Sequence, residues 1–210
     1  MQNQNDHLHT LTEIRDLMER SSRFISLSGL SGVAAGTVAL IGAWAAHYFG
    51  GVSFTDESVY NAELGFDGVM NFLLLDALVV LLLAIGIGAF FTRRKAKRAG
   101  LDFWDKTTER LLMNLMLPLG AGGIFCLLLV FHLELFYLVA PATLIFYGLA
   151  LINASKYTFN DIRFLGISEI VLGLIGMYFY GYGLLIWSIG FGALHIVYGL
   201  GMYYKYERKD

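Results

Sequence analysis

The sequence predicts an all-α membrane protein: six transmembrane helices in a polytopic bundle, paired as three antiparallel hairpins with both termini in the cytoplasm. Three observations carry that prediction. Of 210 residues, 57% are apolar and only 15% charged, where soluble domains carry about 45–50% and about 25%. Six stretches are long and apolar enough to cross about 30 Å of hydrocarbon, which takes roughly 20 residues of helix. Every lysine and arginine, 15 in all, falls on one side of the threading those stretches define.

The spans fall at residues 24–49, 69–91, 111–131, 135–154, 162–180 and 184–204. No intervening tract is long enough to build a second, soluble core. Residues 1–23 form a cytoplasmic segment with capping-box spacing at Thr10 and Glu13 and apolar residues Leu11, Ile14 and Met18 at helical intervals. These predict a short amphipathic helix. That segment is acidic as well as basic and lacks a short apolar core, so it does not read as a signal peptide. Residues 205–210 read as a cytoplasmic tail.

Orientation follows from the basic residues, which are retained on cytoplasmic flanks. Arg15, Arg20 and Arg23 precede span 1; Arg93, Arg94, Lys95, Lys97, Arg98, Lys106 and Arg110 separate spans 2 and 3; Lys156 and Arg163 separate spans 4 and 5; Lys205, Arg208 and Lys209 follow span 6. The outer connections hold only acids: Asp56, Glu57, Glu63, Asp67 and Glu134. The net charge of −2 therefore conceals a strong separation of sign, and it leaves no basic footprint for nucleic acid. The bilayer itself is the expected partner. The run Arg93, Arg94, Lys95, Lys97 and Arg98 suits anionic lipid headgroups; it also serves as an ordinary stop-transfer flank. Trp104 and the tyrosines 178, 180, 182, 203, 204 and 206 suit the two interfaces.

The short connections 132–134 and 181–183 predict tight hairpins for spans 3–4 and 5–6. Glycines recur on helical stripes: Gly32 and Gly36 in span 1, Gly166, Gly173 and Gly176 in span 5, and Gly192 and Gly199 with Ser188 in span 6. Small residues let backbones approach where no hydrophobic force drives helices together, so these stripes mark internal contacts or a homo-oligomer or partner face. Arg23, Arg110 and Arg163 each precede a glycine by thirteen residues (Gly36, Gly123, Gly176), and Tyr147-Gly-Leu is echoed by Tyr198-Gly-Leu. A threefold hairpin repeat is one reading of this.

Ionisable groups in hydrocarbon cost at least about 2.5–3.5 kcal/mol at a helix centre and ask for a reason. Asp76, His195 and Glu169 fall inside spans, at outer, middle and inner depth. Glu169 and His195 share the glycine stripes of their helices, so both should point into the bundle. One reading is a proton or cation route through Asp76, His195 and Glu169. The other is helix glue, each group neutral and hydrogen-bonded to Asn71, Asn114, Ser168, Ser188 or a tyrosine hydroxyl.

At the outer ends, His47, His132 and Glu134 are of ligand type for zinc or another divalent ion, without diagnostic spacing. No CxxCH haem motif, HExxH, GxSxG or phosphate loop occurs, and no lysine lies inside a span for a Schiff base. Nothing calls for a cofactor or an enzymatic activity. The lone Cys126 reads as intramembrane packing.

The stretch Glu13-Ile-Arg-Asp-Leu-Met-Glu-Arg-Ser-Ser-Arg-Phe-Ile-Ser-Leu-Ser-Gly-Leu-Ser-Gly32, running into Leu40-Ile-Gly-Ala43, resembles six-span membrane proteins of Bacteroidota that have no assigned activity. The likeness covers residues 12–45 and implies a bacterial inner-membrane location. It carries no functional residue across. Two functions stay open: a small proton-coupled carrier or conduit, and a non-catalytic accessory, sensor or scaffold acting through its cytoplasmic face.

Overall fold

A computed structural model describes residue 24 and residues 26–55 and 65–208. The amphipathic segment expected over residues 1–23 and the outer acids Asp56, Glu57 and Glu63 lie outside the described residues. The described chain is all-helical. Its long elements are α1 (Gly29–Tyr48), α2 (Gly65–Arg98), α3 (Lys106–Phe131), α4 (Val139–Ala154) and α5 (Asp161–Tyr178). A last, composite helix follows: α6 (Gly183–Trp187), a π-helical turn (Ser188–Leu194) and α7 (His195–Tyr206) run on without a break.

Among the described residues, five helices are long and apolar enough to cross a membrane: Gly29–Tyr48, Asp67–Arg98, Lys106–Phe131, Phe136–Tyr157 and Tyr180–Tyr206. This is the pattern of a multi-pass membrane protein. The remaining helix, α5, has 18 residues and includes Asp161, Arg163 and Glu169 among them. Its apolarity is diluted by charge, and it is also the helix that carries the interior carboxylate.

Helix ends differ from the sequence boundaries for local reasons. Residues 26–28 lie outside the helix, Ser28 with an extended backbone, and α1 begins only at Gly29. Its N-cap Ser28 makes no side-chain capping bond. A cap arrives from the far end of the chain instead: the Gly29 amide donates to Glu207 at 2.5 Å and the Ser28 hydroxyl at 3.1 Å. A carboxylate there answers the unpaired amides and the positive end of the helix dipole. α3 starts five residues earlier than its apolar stretch, because Asp105 accepts the Thr108 amide and hydroxyl, both at 2.7 Å. α2 runs on through the basic run to Arg98.

α2 packs on α1, α1 on the composite helix, α5 on α4, and α4 on α3. The composite helix touches both α4 and α5 and closes the centre. Thus α5 finds its most extensive partner in α4, and the composite helix finds its own in α1, although a short turn joins the two. Glycine explains both choices. A Cβ on Gly148 would stand 2.5 Å from the Gly166 carbonyl oxygen, and one on Gly199 would stand 2.7 Å from the Gly29 oxygen. Only bare backbones reach this separation. The repeat proposed from the sequence is not matched in packing: Gly36 and Gly176 are closely covered, whereas Gly123 has nothing within 4 Å of an added Cβ.

The end of the bundle that carries the basic residues is tied by polar contacts. The Lys95 ammonium donates to the Leu27 carbonyl at 2.8 Å, stands 3.4 Å from Glu207, and lies over the Phe159 ring. Tyr206 donates to Asp161 at 2.6 Å, and Lys205 bridges to the same carboxylate at 3.0 Å. Of the residues read as a cytoplasmic tail, Lys205 and Tyr206 thus belong to the helix and Glu207 to its clasp.

Candidate functional site: a buried glutamate and histidine

Glu169 lies on the buried side of α5 with Gly166, Gly173 and Gly176. Its side chain is 0% exposed, and neither carboxylate oxygen has a hydrogen-bond partner among the described residues. His195, the first residue of α7, is 7% exposed. Its Nδ1 stands 3.4 Å from Glu169 Oε1. The distance is that of an ion pair without the alignment of a hydrogen bond, so Glu169 counts as unbonded while still in reach of the ring.

The imidazole is held from both sides. Nδ1 lies 3.0 Å from the Gly190 carbonyl oxygen, and Nε2 lies 2.8 Å from the Tyr147 hydroxyl on α4. A carbonyl can only accept, so Nδ1 carries the hydrogen. In a neutral ring Nε2 is then the acceptor, and Tyr147 donates to it. Tyr147 and Phe191 lie near the imidazole at centroid distances of 5.4 and 6.0 Å.

Gly190 makes this arrangement possible. A Cβ there would stand 2.6 Å from Glu169 Oε2 and would also press on Leu144. The glycine belongs to the π turn, in which the backbone takes one residue more per bonded ring than an α-helix. Such turns are rare and often found at functional positions.

The sequence placed Glu169 deeper toward the cytoplasm than His195. The structure puts them side by side, as one pair rather than two steps. It also corrects the stripe read in span 6. Gly192 and Gly199 face α1, against Leu40 and against Gly29, Gly32 and Val33, whereas the His195 ring turns toward α4 and α5. The spacing of 4, 3 and 4 presumes a continuous α-helix, and the added residue of the π turn breaks that register.

The other residues stand apart from the pair. Asp76 is half-buried between α2 and α1; a Cβ on Gly42 would stand 3.3 Å from its carboxylate. Asn71 is exposed. Asn114 donates to the Arg110 carbonyl of its own helix, and Ser188 to that of Leu184. The Ser168 hydroxyl lies 3.4 Å from that of Tyr198. None of these bonds Glu169. His47 bonds the Val52 carbonyl near its own helix end, while His132 and Glu134 are exposed beyond α3. Among the described residues, no three His, Cys, Asp or Glu side chains gather into a metal site. Within the basic run, Arg93, Arg94, Lys97 and Arg98 are exposed, but Lys95 is turned inward to Glu207.

Sequence reasoning missed Tyr147 as a specific partner and missed Gly190 altogether. Tyr147 was visible only as half of the Tyr-Gly-Leu echo. The Gly190 carbonyl has no sequence signal, because its role depends on the π turn.

No protein-family profile, curated protein or solved structure matches this chain. The site therefore rests on its own geometry.

Proposed function

We propose that this chain is a six-span protein of the bacterial inner membrane, built from three hairpins with both termini cytoplasmic, and that it is a small proton-coupled carrier. The Glu169–His195 pair is its proton-binding centre. One observation carries this: a fully buried carboxylate without a hydrogen bond among the described residues, 3.4 Å from an imidazole nitrogen. Helix glue predicts the opposite, since a polar group kept for packing is kept by its bonds. A group that must take up and release a proton is poorly served by saturated bonding.

The sixth span is α5, whose Asp161 and Arg163 lie at its inner end and whose Glu169 is covered by protein. The likeness over residues 12–45 and the one-sided basic residues support the location and orientation. The exposed Arg93, Arg94, Lys97 and Arg98 meet anionic headgroups in this reading, and Asp76 is the outer carboxylate of the route.

The pair is sealed, so the conformation described is a closed one and not an open conduit. That same sealing favours the second reading, a non-catalytic sensor or accessory protein acting through its cytoplasmic face. Proton flux into proteoliposomes, read with a pH dye, separates the two. The carrier reading expects flux in wild type that falls in both Glu169→Gln and His195→Ala. Flux no greater than in empty liposomes leaves the sensor reading.

A further inference from the structure

The His195 Nδ1–H faces two acceptors at once: the Gly190 carbonyl at 3.0 Å and Glu169 Oε1 at 3.4 Å. One hydrogen cannot serve both well. Which acceptor wins depends on the charge of Glu169, because an ionised carboxylate is a stronger acceptor than an amide carbonyl and a protonated one is weaker. The carbonyl at stake belongs to the π turn itself.

We infer that the π turn Ser188–Leu194 is the conformational switch of this protein, set by the competition between Gly190 and Glu169 for the His195 Nδ1 hydrogen. The inference rests on reading Glu169 and His195 as a proton-binding pair. With Glu169 protonated, the hydrogen stays on Gly190 and the turn remains π, as in the structure described. When the carboxyl proton leaves, the Nδ1–H turns to Glu169 Oε1. The Gly190 carbonyl is then left to the Leu194 amide, its ordinary α-helical partner four residues on. Absorbing the extra residue rotates one flank of the helix against the other by about 100° and slides it about 1.5 Å. The flank expected to move is α6, which has five residues and meets α5 less tightly (a Cβ on Gly176 would stand 3.2 Å from Ile186) than α7 meets α1, where a Cβ on Gly199 would stand 2.7 Å from the Gly29 oxygen.

Among the described residues, few other titratable groups stand near the pair. α5 contributes Glu169 and α4 contributes Tyr147, whose hydroxyl holds Nε2. α1 carries as titratable residues only His47 and Tyr48, both at its outer end. The composite helix contributes His195 itself and Tyr198, whose hydroxyl lies 3.4 Å from that of Ser168, the neighbour of Glu169. The switch thus has one carboxylate as its trigger and Tyr147 to keep the ring facing it.

Spin labels at Leu185→Cys and Val197→Cys, in a Cys126→Ser background, flank the turn on exposed positions. Their separation should change between mildly acidic and mildly alkaline pH, with the π-length value on the acid side. Glu169→Gln should hold the acid-side distance at every pH. Deleting exposed Ala193 removes the extra residue and should fix the alkaline distance. The infrared band of the Glu169 carboxylic acid, identified by its loss in Glu169→Gln, should still titrate in the deletion. A distance that moves with pH in the deletion, or that never moves in wild type, overturns the switch while leaving the proton pair intact. A missing carboxyl band at every pH in wild type removes the pair itself, and the switch with it. Should the deletion fail to fold, amide hydrogen exchange in wild type decides. After correction for intrinsic rates, protection over residues 188–195 must change with pH in wild type and stay constant in Glu169→Gln.

Discussion

The centre and the edges of this bundle use the same residue types to opposite ends. In the centre, Gly148, Gly166 and Gly199 bring backbones into contact, and Gly190 makes room for a carboxylate. At the edges, Gly86 and Gly88 on α2 and Gly120 and Gly123 on α3 have nothing within 4 Å of an added Cβ. Large apolar side chains divide likewise: Leu144 is fully buried in α4, while Leu75, Leu81, Leu82 and Ile85 of α2 are exposed. In a membrane the second group is not misplaced, because lipid is as apolar as leucine. What marks the packed interior here is therefore close approach and polar burial, not hydrophobicity.

The largest expected break in this contrast is a valine at the central crossing. Gly148→Val should cost about 3 kcal/mol by overpacking, whereas Gly123→Ala should be neutral or stabilise by up to about 1 kcal/mol through reduced backbone freedom. Reversible unfolding in mixed detergent measures both. Equal losses at the two sites would erase the distinction between centre and edge.

Next comes the inner clasp. Glu207→Ala removes the acceptor of the Gly29 amide and the partner of Lys95, and should cost about 2 kcal/mol. Arg94→Ala, on an exposed neighbour of Lys95, should stay within about 0.5 kcal/mol. The same unfolding measurement applies, and a matched pair of values would mean that the clasp adds nothing.

A smaller effect is expected at the pair. Tyr147→Phe deletes the donor to His195 Nε2 and should cost about 1 kcal/mol, the range of interhelical hydrogen bonds in membranes. Its sharper readout is nitrogen-15 NMR of the imidazole, where loss of the bond should shift Nε2. Tyr178→Phe, at an exposed outer position, should leave both stability and spectrum unchanged.

An effect of similar size is expected at the cap of α3. The slight burial of Asp105 would raise its pKa, but the Thr108 amide and hydroxyl, with the amides of Thr107 and Asp105 itself, together outweigh it and hold the carboxyl below its ordinary value. A lowered native pKa means stabilisation that is complete above the unfolded-state value and fades as pH falls through the native one. Asp105→Ala should cost about 1 kcal/mol at neutral pH. The wild-type advantage should vanish in acid, and a pH-independent difference would place the effect elsewhere than the cap.

Much of this was legible in the chain. Five of the six apolar stretches correspond to helices long and apolar enough to cross a membrane, within a few residues at most ends, and the inward aim of Glu169 follows from its glycine stripe. The starts of α1 and α3 were less legible for different reasons. Asp105 is a local signal that an apolar boundary overlooks, whereas Glu207 lies 178 residues from the amide it caps. Depth counted along separate helices put Glu169 and His195 on different levels, because tilt and crossing decide which residues of two helices share a level.

By itself the sequence determined composition, the long apolar helices and the grouping of charge between them, because these depend on each residue's own transfer between water and hydrocarbon. It also determined that Asp76, Glu169 and His195 need an account. Only the tertiary structure decided which of them meet. Glu169 and His195 come together while Asp76 stays between α1 and α2, because glycine contacts set the pairing of α5 with α4 and of α7 with α1. The π turn was decided there too. Bonding to the fifth residue instead of the fourth leaves no trace in composition or period, and it pays only where Gly190 has both a histidine and a buried carboxylate beside it.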